Sequence, residues 1–308
     1  TGHFIELGYP IKYISPVNEP QVSWGGDDVS QEGCHYETEE LFKLYKLFAK
    51  SIKARGLDVK LSMCEVSKIT SKTFDYLKYV YNDPDLREVL GTYTYHSYCS
   101  DINYFIKSWW GRYIKKYPGV IYDMSEWCEL PVTMSNKSTR SALFMARVMA
   151  QDLFISNASF WSAWVAVSEG DENGDGLIIA NHDCSEYYVA QRYYAMAHFS
   201  KFVPEGSRLI SCKKDVNDRF SSMSREKLEN YISFRTNTAA FLTPDGKIVL
   251  VIVNGGKEHT FSLSGIEGRD HLTTYTTDGN RKVELTYDGA YQQTLTIPAY
   301  SITTAIFE

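Results

Sequence analysis

Several apolar runs in this chain end on a carboxylate, and two of those acids could share one reaction. The stretch YISPVNEPQVSWGG (13–26) closes an apolar run with Asn18-Glu19-Pro20 and leads into a Gly-rich loop carrying Trp24. Pro20 has no N–H and stiffens the turn, which fixes the direction of the Glu19 carboxyl. A second run, Val120–Ser125, leads straight into Glu126 and Trp127. Two carboxylates on one rim permit glycoside hydrolysis, in which one protonates the leaving oxygen while the other attacks the anomeric carbon. The pair needs unequal surroundings to hold unequal protonation states. Other run ends supply Glu65, then His96, Tyr98 and Asp101, then Glu129, and last Trp164 with the loop Ser168–Gly176. Glu129 competes with Glu126 but stands three residues further along, in a loop. Glu65 reads equally as a rim ion pair or as a group that tunes Glu19. His96 is either a satisfied structural histidine or a group that hydrogen-bonds near the nucleophile and touches sugar. Tyr98 could orient Glu126.

These groups need a frame that brings run ends together. The first two-thirds of the chain alternates strand candidates (Ile11–Val17, Val59–Cys64, Gly91–Ser97, Val120–Ser125, Phe160–Val167) with amphipathic stretches. Thr38–Arg55 places Leu41, Leu44, Leu47 and Phe48 at helical spacing, with Thr38, Glu39 and Glu40 at its start and Gly56 at its end. Lys72–Tyr81, Ser138–Ser156 and Ser185–Phe202 are further helix candidates. Strand and helix in alternation make a parallel sheet, and five such units fit part of a (β/α)8 TIM barrel. Chemistry in that fold sits at the C-terminal ends of the strands. Glu19 and Glu126 lie 107 residues apart, which three βα steps of about 35 residues cover. No Gly-rich phosphate turn follows the first strand, which argues against a dinucleotide fold.

Beyond Pro204 the pattern changes to short alternating strands: Arg208–Cys212, Tyr231–Thr236, Ala239–Leu242, Ile248–Val253, Thr260–Leu263, Leu272–Thr277, Val283–Tyr287, Thr294–Ile297 and Ser301–Phe307. TPDGK, NGGK and TDGN supply turns. The expected organisation is a partial barrel domain over 1–205 and an antiparallel β-sandwich over 206–308.

Composition removes several classes. The net charge is −6 and no Lys/Arg block is dense enough for a nucleic-acid footprint. No run of about 18 apolar residues spans a membrane, and no signal peptide is visible at Thr1. Cys34, Cys64, Cys99, Cys128, Cys184 and Cys212 are singletons without C-x-x-C spacing, so free buried thiols are expected ahead of zinc or a disulfide framework. DENGDG (171–176) opens like a calcium loop, but its twelfth position is His182 where a bidentate Glu belongs, so a plain loop is expected and no metal. The excess of 23 Tyr and 6 Trp suits stacking on sugar. Of the tryptophans, Trp164 is the expected sugar platform and Trp161, three positions away on the opposite strand face, the expected core residue. Trp109 and Trp110 belong to a helix or loop after the third strand.

SPVNEP and YDMSEW, with HSY between them, resemble glycoside hydrolase family 30, a group of retaining barrel glycosidases. AQRYYAMAHFSKFVPEGSRLI is similar to that family's link into its sandwich, and LTIPAYSITTAIF to its closing strands, so the likeness spans nearly the whole chain. The resemblance implies Glu19 as acid/base, Glu126 as nucleophile, and Asn18 on the sugar 2-hydroxyl. Trp24, His96, Tyr98, Trp127 and Trp164 join Asn18 as candidate substrate contacts. It also implies a β-linked polysaccharide or oligosaccharide substrate, no cofactor, and a secreted, periplasmic or cell-surface location. NEPQVSW followed by QEGCHYET resembles the endo-β-1,6-galactanase branch; β-1,6-glucan, xylan and glucosyl lipid are the alternative substrates. A non-catalytic carbohydrate-binding protein on a degenerate barrel is the alternative of another class. In the family the Asn-Glu strand is the fourth, so three strands are expected from a missing N-terminal segment or a second chain.

Overall fold

The computed structural model describes residues 1–24, 33–98, 104–130, 134–170, 174–212 and 236–308. The chain forms two compact units, one of Thr1–Trp127 with Ile155–Ser162, the other of Cys128–Phe154 with Ala163–Glu308.

The first unit contains α1 (Gly2–Glu6), β1 (Tyr13–Ile14), α2 (Thr38–Ala54), β2 (Lys60–Val66), α3 (Ser71–Asn82), α4 (Pro84–Val89), β3 (Leu90–His96), α5 (Tyr104–Tyr113), β4 (Ile121–Glu126) and β5 (Phe160–Trp161). The five strands pair in parallel in the order β1-β2-β3-β4-β5, as the βα alternation predicts. The cap of α2 is Glu37 rather than Thr38, and its backbone N–H donates to the Glu40 carboxylate. The buried stripe of α2 runs through Leu41, Phe42, Tyr45, Ala49 and Ile52, which leaves Leu47 exposed. Phe42 stacks on Tyr79 of α3 at 3.9 Å between ring centres. Asn82-Asp83-Pro84 reads as a stop but is also a start: Asp83 accepts from the N–H groups of Asp85 and Leu86 at 3.1 and 3.2 Å, and Pro84 opens α4.

Period-2 alternation gives the sheet two unlike faces. Leu61, Met63, Tyr93, Tyr95, Tyr122 and Met124 are buried apolar side chains. They pack toward the helices: Trp110 of α5 lies 5.7 Å from Tyr93 and 5.6 Å from Tyr122, and 5.5 Å from Phe74 of α3. The alternate residues are polar. Ser62 meets Thr92 at 3.1 Å, and Thr92 meets Thr94 at 3.2 Å. Gly91 is required where it stands, because a Cβ there would lie 2.5 Å from the Tyr13 ring. The Tyr13 ring of β1 therefore lies against the backbone of Gly91 in β3, and the Glu19 loop departs from β1.

The second unit begins with α6 (Thr139–Phe154), then β6 (Val167–Glu169), β7 (Ile178–Ala180) and β8 (Tyr187–Val189), which form a small sheet, and α7 (Gln191–Ser200). The strands β9 (Arg208–Ile210), β10 (Thr236–Leu242), β11 (Ile248–Asn254), β12 (His259–Ser262), β13 (His271–Thr277), β14 (Glu284–Ala290), β15 (Thr294–Ile297) and β16 (Ser301–Phe307) follow. They make an antiparallel sheet in the order β14-β13-β16-β11-β10-β9, and a β12-β15 pair. Ile252, Leu272, Leu295, Ile297, Ala305 and Phe307 fill their core. Three expected elements differ. The run Ile11–Val17 forms only the two-residue β1, Tyr13–Ile14. The run Phe160–Val167 pairs with β4 only over its first two residues. The expected helix Ser185–Phe202 starts at Gln191, because Tyr187–Val189 pairs with β7. The expected strand Tyr231–Thr236 lies outside the described residues except for Thr236, where β10 begins.

His198 ties α7 to the sandwich sheet. Its Nδ1 and Nε2 stand 2.8 Å from the hydroxyls of Thr304 and Thr277. Thr304 donates its proton to the His198 carbonyl, and Thr277 accepts from Val283 N–H. Nδ1 therefore carries the ring proton and Nε2 accepts from Thr277, so the network is complete with a neutral ring. Burial pushes the imidazole down to about 3.

Candidate active site

Four strand ends of the first unit meet around His96. The chain leaves β1 through Ser15-Pro16-Val17-Asn18 and turns at Glu19, whose φ is +48°. Glu19 N–H donates to the Glu65 carbonyl at 2.9 Å, which fastens this turn to the end of β2. One carboxylate oxygen of Glu19 lies 2.9 Å from His96 Nδ1; the other accepts from Trp24 Nε1 at 2.5 Å. His96, at the end of β3, is 1% exposed. Its Nε2 lies 3.4 Å from Glu65, and its Nδ1 lies 3.7 Å from Glu126 at the end of β4. Tyr98 donates to the same Glu126 oxygen at 3.1 Å. Glu65 accepts from Ser15 Oγ on one oxygen at 2.8 Å and from Ser125 Oγ on the other at 2.5 Å.

Strict alternation would not deliver these side chains. Thr92, Thr94 and His96 share the polar face of β3, and on β4 Asp123 and Ser125 share theirs. Glu65 and Glu126 have the wrong parity for the faces of Ser62 and Ser125. Register shifts correct this: the β2–β3 pairing slips between Met63 and Val66, and the β3–β4 pairing between Tyr95 and His96. At the first slip Cys64 and Glu65 take φ values of +88° and +42°, a conformation that costs on the order of 1–3 kcal/mol per residue. Tyr45 of α2 holds it, its hydroxyl accepting from Cys64 N–H at 2.7 Å.

The electrostatics follow from burial and charge. Desolvation alone would lower His96, but hydrogen bonds to Glu19 and Glu65 and the charge of Glu126 outweigh it and raise the ring to about 9. His96 is therefore an imidazolium at neutral pH and a donor at both nitrogens. Burial raises Glu126, the charges of Glu19 and Glu65 add to this, and His96 and Tyr98 pull it back. Burial likewise raises Asp123 to about 6, against a hydrogen bond from Thr92. Glu19, His96 and Glu126 each offer an atom within 4.8 Å of the others.

The structure thus brings Glu19, Glu126, His96, Tyr98 and Trp24 together. Trp24 serves Glu19 through its indole N–H, with its ring 37% exposed. Asn18 is exposed beside Glu19. Trp127 departs from expectation: it is 1% exposed, its ring 6.0 Å from Trp161, so it packs in the core and offers no open face to sugar. Trp161 is buried as expected. Trp164 is 50% exposed and belongs to the second unit. Glu129 is fully buried in that unit, accepting from Ser141 at 2.7 Å and lying 3.6 Å from Arg192, which makes it a structural ion pair. Asp101 and Asp171–Asn173 lie outside the described residues, and His182 is exposed on Glu169 at 2.9 Å. Cys34, Cys64, Cys184 and Cys212 are free thiols, and of the described cysteines only Cys64 and Cys128 are buried. Sequence reasoning missed Ser15 and Ser125; the single available signal was that Ser125 directly precedes Glu126 and Ser15 stands four residues before Glu19.

Residues 1–179 match O-glycosyl hydrolase family 30, and residues 233–305 match the glycosyl hydrolase family 30 β-sandwich domain. The chain belongs to glycoside hydrolase family 30. A Caenorhabditis elegans protein named "Putative glucosylceramidase 1" is 30% identical over 102 residues, which are 32% of this chain and 17% of that protein. The chain thus spans about a sixth of the curated relative it matches. Among solved structures, a conserved exported protein from Bacteroides fragilis superposes with a TM-score of 0.80 at 22% identity, over 99% of this chain and 67% of the other. A family 30 subfamily 8 xylanase from Clostridium acetobutylicum superposes with a TM-score of 0.72 at 18% identity, over 100% of this chain and 68% of its own. These likenesses show that the chain shares its fold with those structures.

Proposed function

We propose that this chain carries the catalytic site of a retaining O-glycosyl hydrolase. Glu126 attacks the anomeric carbon as the glycosidic C–O bond breaks, and Glu19 gives its proton to the leaving oxygen. Glu19 then takes a proton from water, which displaces Glu126 from the glycosyl-enzyme. One observation carries this reading: oxygens of Glu19 and Glu126 approach within 4.8 Å in a single hydrogen-bonded cluster. Retaining pairs stand about 5–5.5 Å apart, whereas inverting pairs stand about 6.5–9.5 Å apart to admit a water. Glu126→Ala should abolish turnover of an activated aryl β-glycoside, and azide should restore part of it. Proton NMR of the first-formed product should show the β anomer; the α anomer would overturn retention.

The substrate we propose is a β-linked polysaccharide, with β-1,6-galactan first on the likeness of the Glu19 loop. Similar structures include xylanases and an endo-β-1,6-glucanase, so β-1,6-glucan and xylan belong in the same hydrolysis panel, with glucosylceramide beside them. Likeness to an exported protein supports export of this chain. The outer edge of β1 pairs with no strand among the described residues; we propose that a further segment or a partner chain covers it in the working enzyme.

A further inference from the structure

We propose that Glu65, clamped by Ser15 and Ser125, is a positioning residue that fixes the His96 ring between Glu19 and Glu126. The inference rests on the assignment of those two acids as the reacting pair. Glu65 is buried, and both its oxygens are engaged: Ser15 Oγ at 2.8 Å on one, Ser125 Oγ at 2.5 Å and His96 Nε2 at 3.4 Å on the other. Ser15 directly follows β1 and Ser125 is the penultimate residue of β4, so the carboxylate also spans the strand ends that lead to Glu19 and Glu126. A surface acid would need none of this, and a buried one is costly unless paired. The strained backbone at Cys64 and Glu65 has no other evident product than this orientation.

The reaction explains why a held cation helps. In glycosylation Glu126 loses its negative charge as its oxygen bonds to the sugar, while Glu19 gains one as its proton leaves. Deglycosylation reverses both. The net charge of the pair is constant, and only its location moves. His96 lies 2.9 Å from Glu19 and 3.7 Å from Glu126 on the same nitrogen, so one fixed imidazolium faces whichever acid is charged without reorganisation. Glu65 on the opposite nitrogen keeps the ring charged and oriented. The groups facing His96 are Glu19 from the loop after β1, Glu65 from β2, Tyr98 beyond β3 with ring centres 5.9 Å apart, and Glu126 from β4. Asp123, lower on β4, interacts with Glu65.

Glu65→Gln tests this in protein labelled with 15N-histidine. The His96 ring should titrate about one pH unit or more lower than in the parent chain. On the substrate hydrolysed fastest in the panel, kcat should fall about 10- to 100-fold with KM within a few-fold. An unchanged His96 titration overturns the proposal, as does a lowered titration with unchanged kcat. Should Glu65→Gln not fold, the parent chain decides: a neutral His96 ring at pH 7.5 overturns it. Failure of the underlying acid assignment is separate, because it appears as turnover surviving in Glu126→Ala.

Discussion

Removing the Tyr98 hydroxyl should move the acidic limb of the pH profile and little else. Tyr98 donates to Glu126 at 3.1 Å and lowers that carboxyl against the burial that raises it. A hydrogen bond to a charged group contributes about 1.5–3 kcal/mol, and one pKa unit corresponds to about 1.4 kcal/mol. The full effect would be a rise of about 1–2 units. The Glu126 side chain keeps 17% of its surface, so water replaces part of the lost bond and about one unit is the working figure. A nucleophile must be ionised to attack, and kcat/KM reports the free enzyme. In Tyr98→Phe the acidic limb should therefore rise by about one pH unit, with kcat/KM at pH 5 reduced up to about tenfold more than at the plateau. The assay is kcat/KM on an aryl β-glycoside from pH 4 to 9. A plateau that falls while the limb stays in place would refute the reasoning, since Tyr98 would then act on something other than the charge of Glu126.

Two further outcomes concern stability. His198 is held near 3 when folded against about 6.5 unfolded. Below 6.5 the unfolded chain binds the extra proton, so stability is present above that pH and drains away toward pH 3, by about 2 kcal/mol between pH 7 and 5. Urea midpoints across that range should show this slope, and His198→Gln should lack it. Trp110→Ala removes a fully buried ring that touches three elements and should cost about 3–5 kcal/mol in the same measurement.

Much of the frame was legible because its signals are local and redundant. The runs 59–64, 91–97 and 120–125 are rich in β-branched, aromatic and other apolar residues, and they appear as β2, β3 and β4 within two residues at each end. Thr294–Ile297 and Ser301–Phe307 match their strands outright. The failures share a cause. Tyr187–Val189 lies in a helix-like pattern yet pairs with β7, because a partner strand, absent from any local window, outweighs weak propensity. Trp127 follows Glu126 but turns into the core, where Trp161, thirty-four positions later, meets it.

The site itself shows the limit most sharply. Alternation assigns Ser125 and Glu126 to opposite faces, and the same holds for Glu65 against Ser62. Read strictly, no single strand face could hold Glu126, its serine neighbour and Glu65. All three converge because two register shifts rotate Glu65 and Glu126 onto the polar face, and positive-φ residues at Cys64 and Glu65 absorb one of those shifts. Nothing in the residue types there calls for that backbone; neither position is glycine. The conformation is stabilised from outside, by the Tyr45 hydroxyl on Cys64 N–H and by Glu19 N–H on the Glu65 carbonyl. The second bond comes from the Glu19 turn itself. The strain that presents Glu65 and the turn that presents Glu19 are therefore mutually dependent, and loosening either should displace both carboxyls relative to His96.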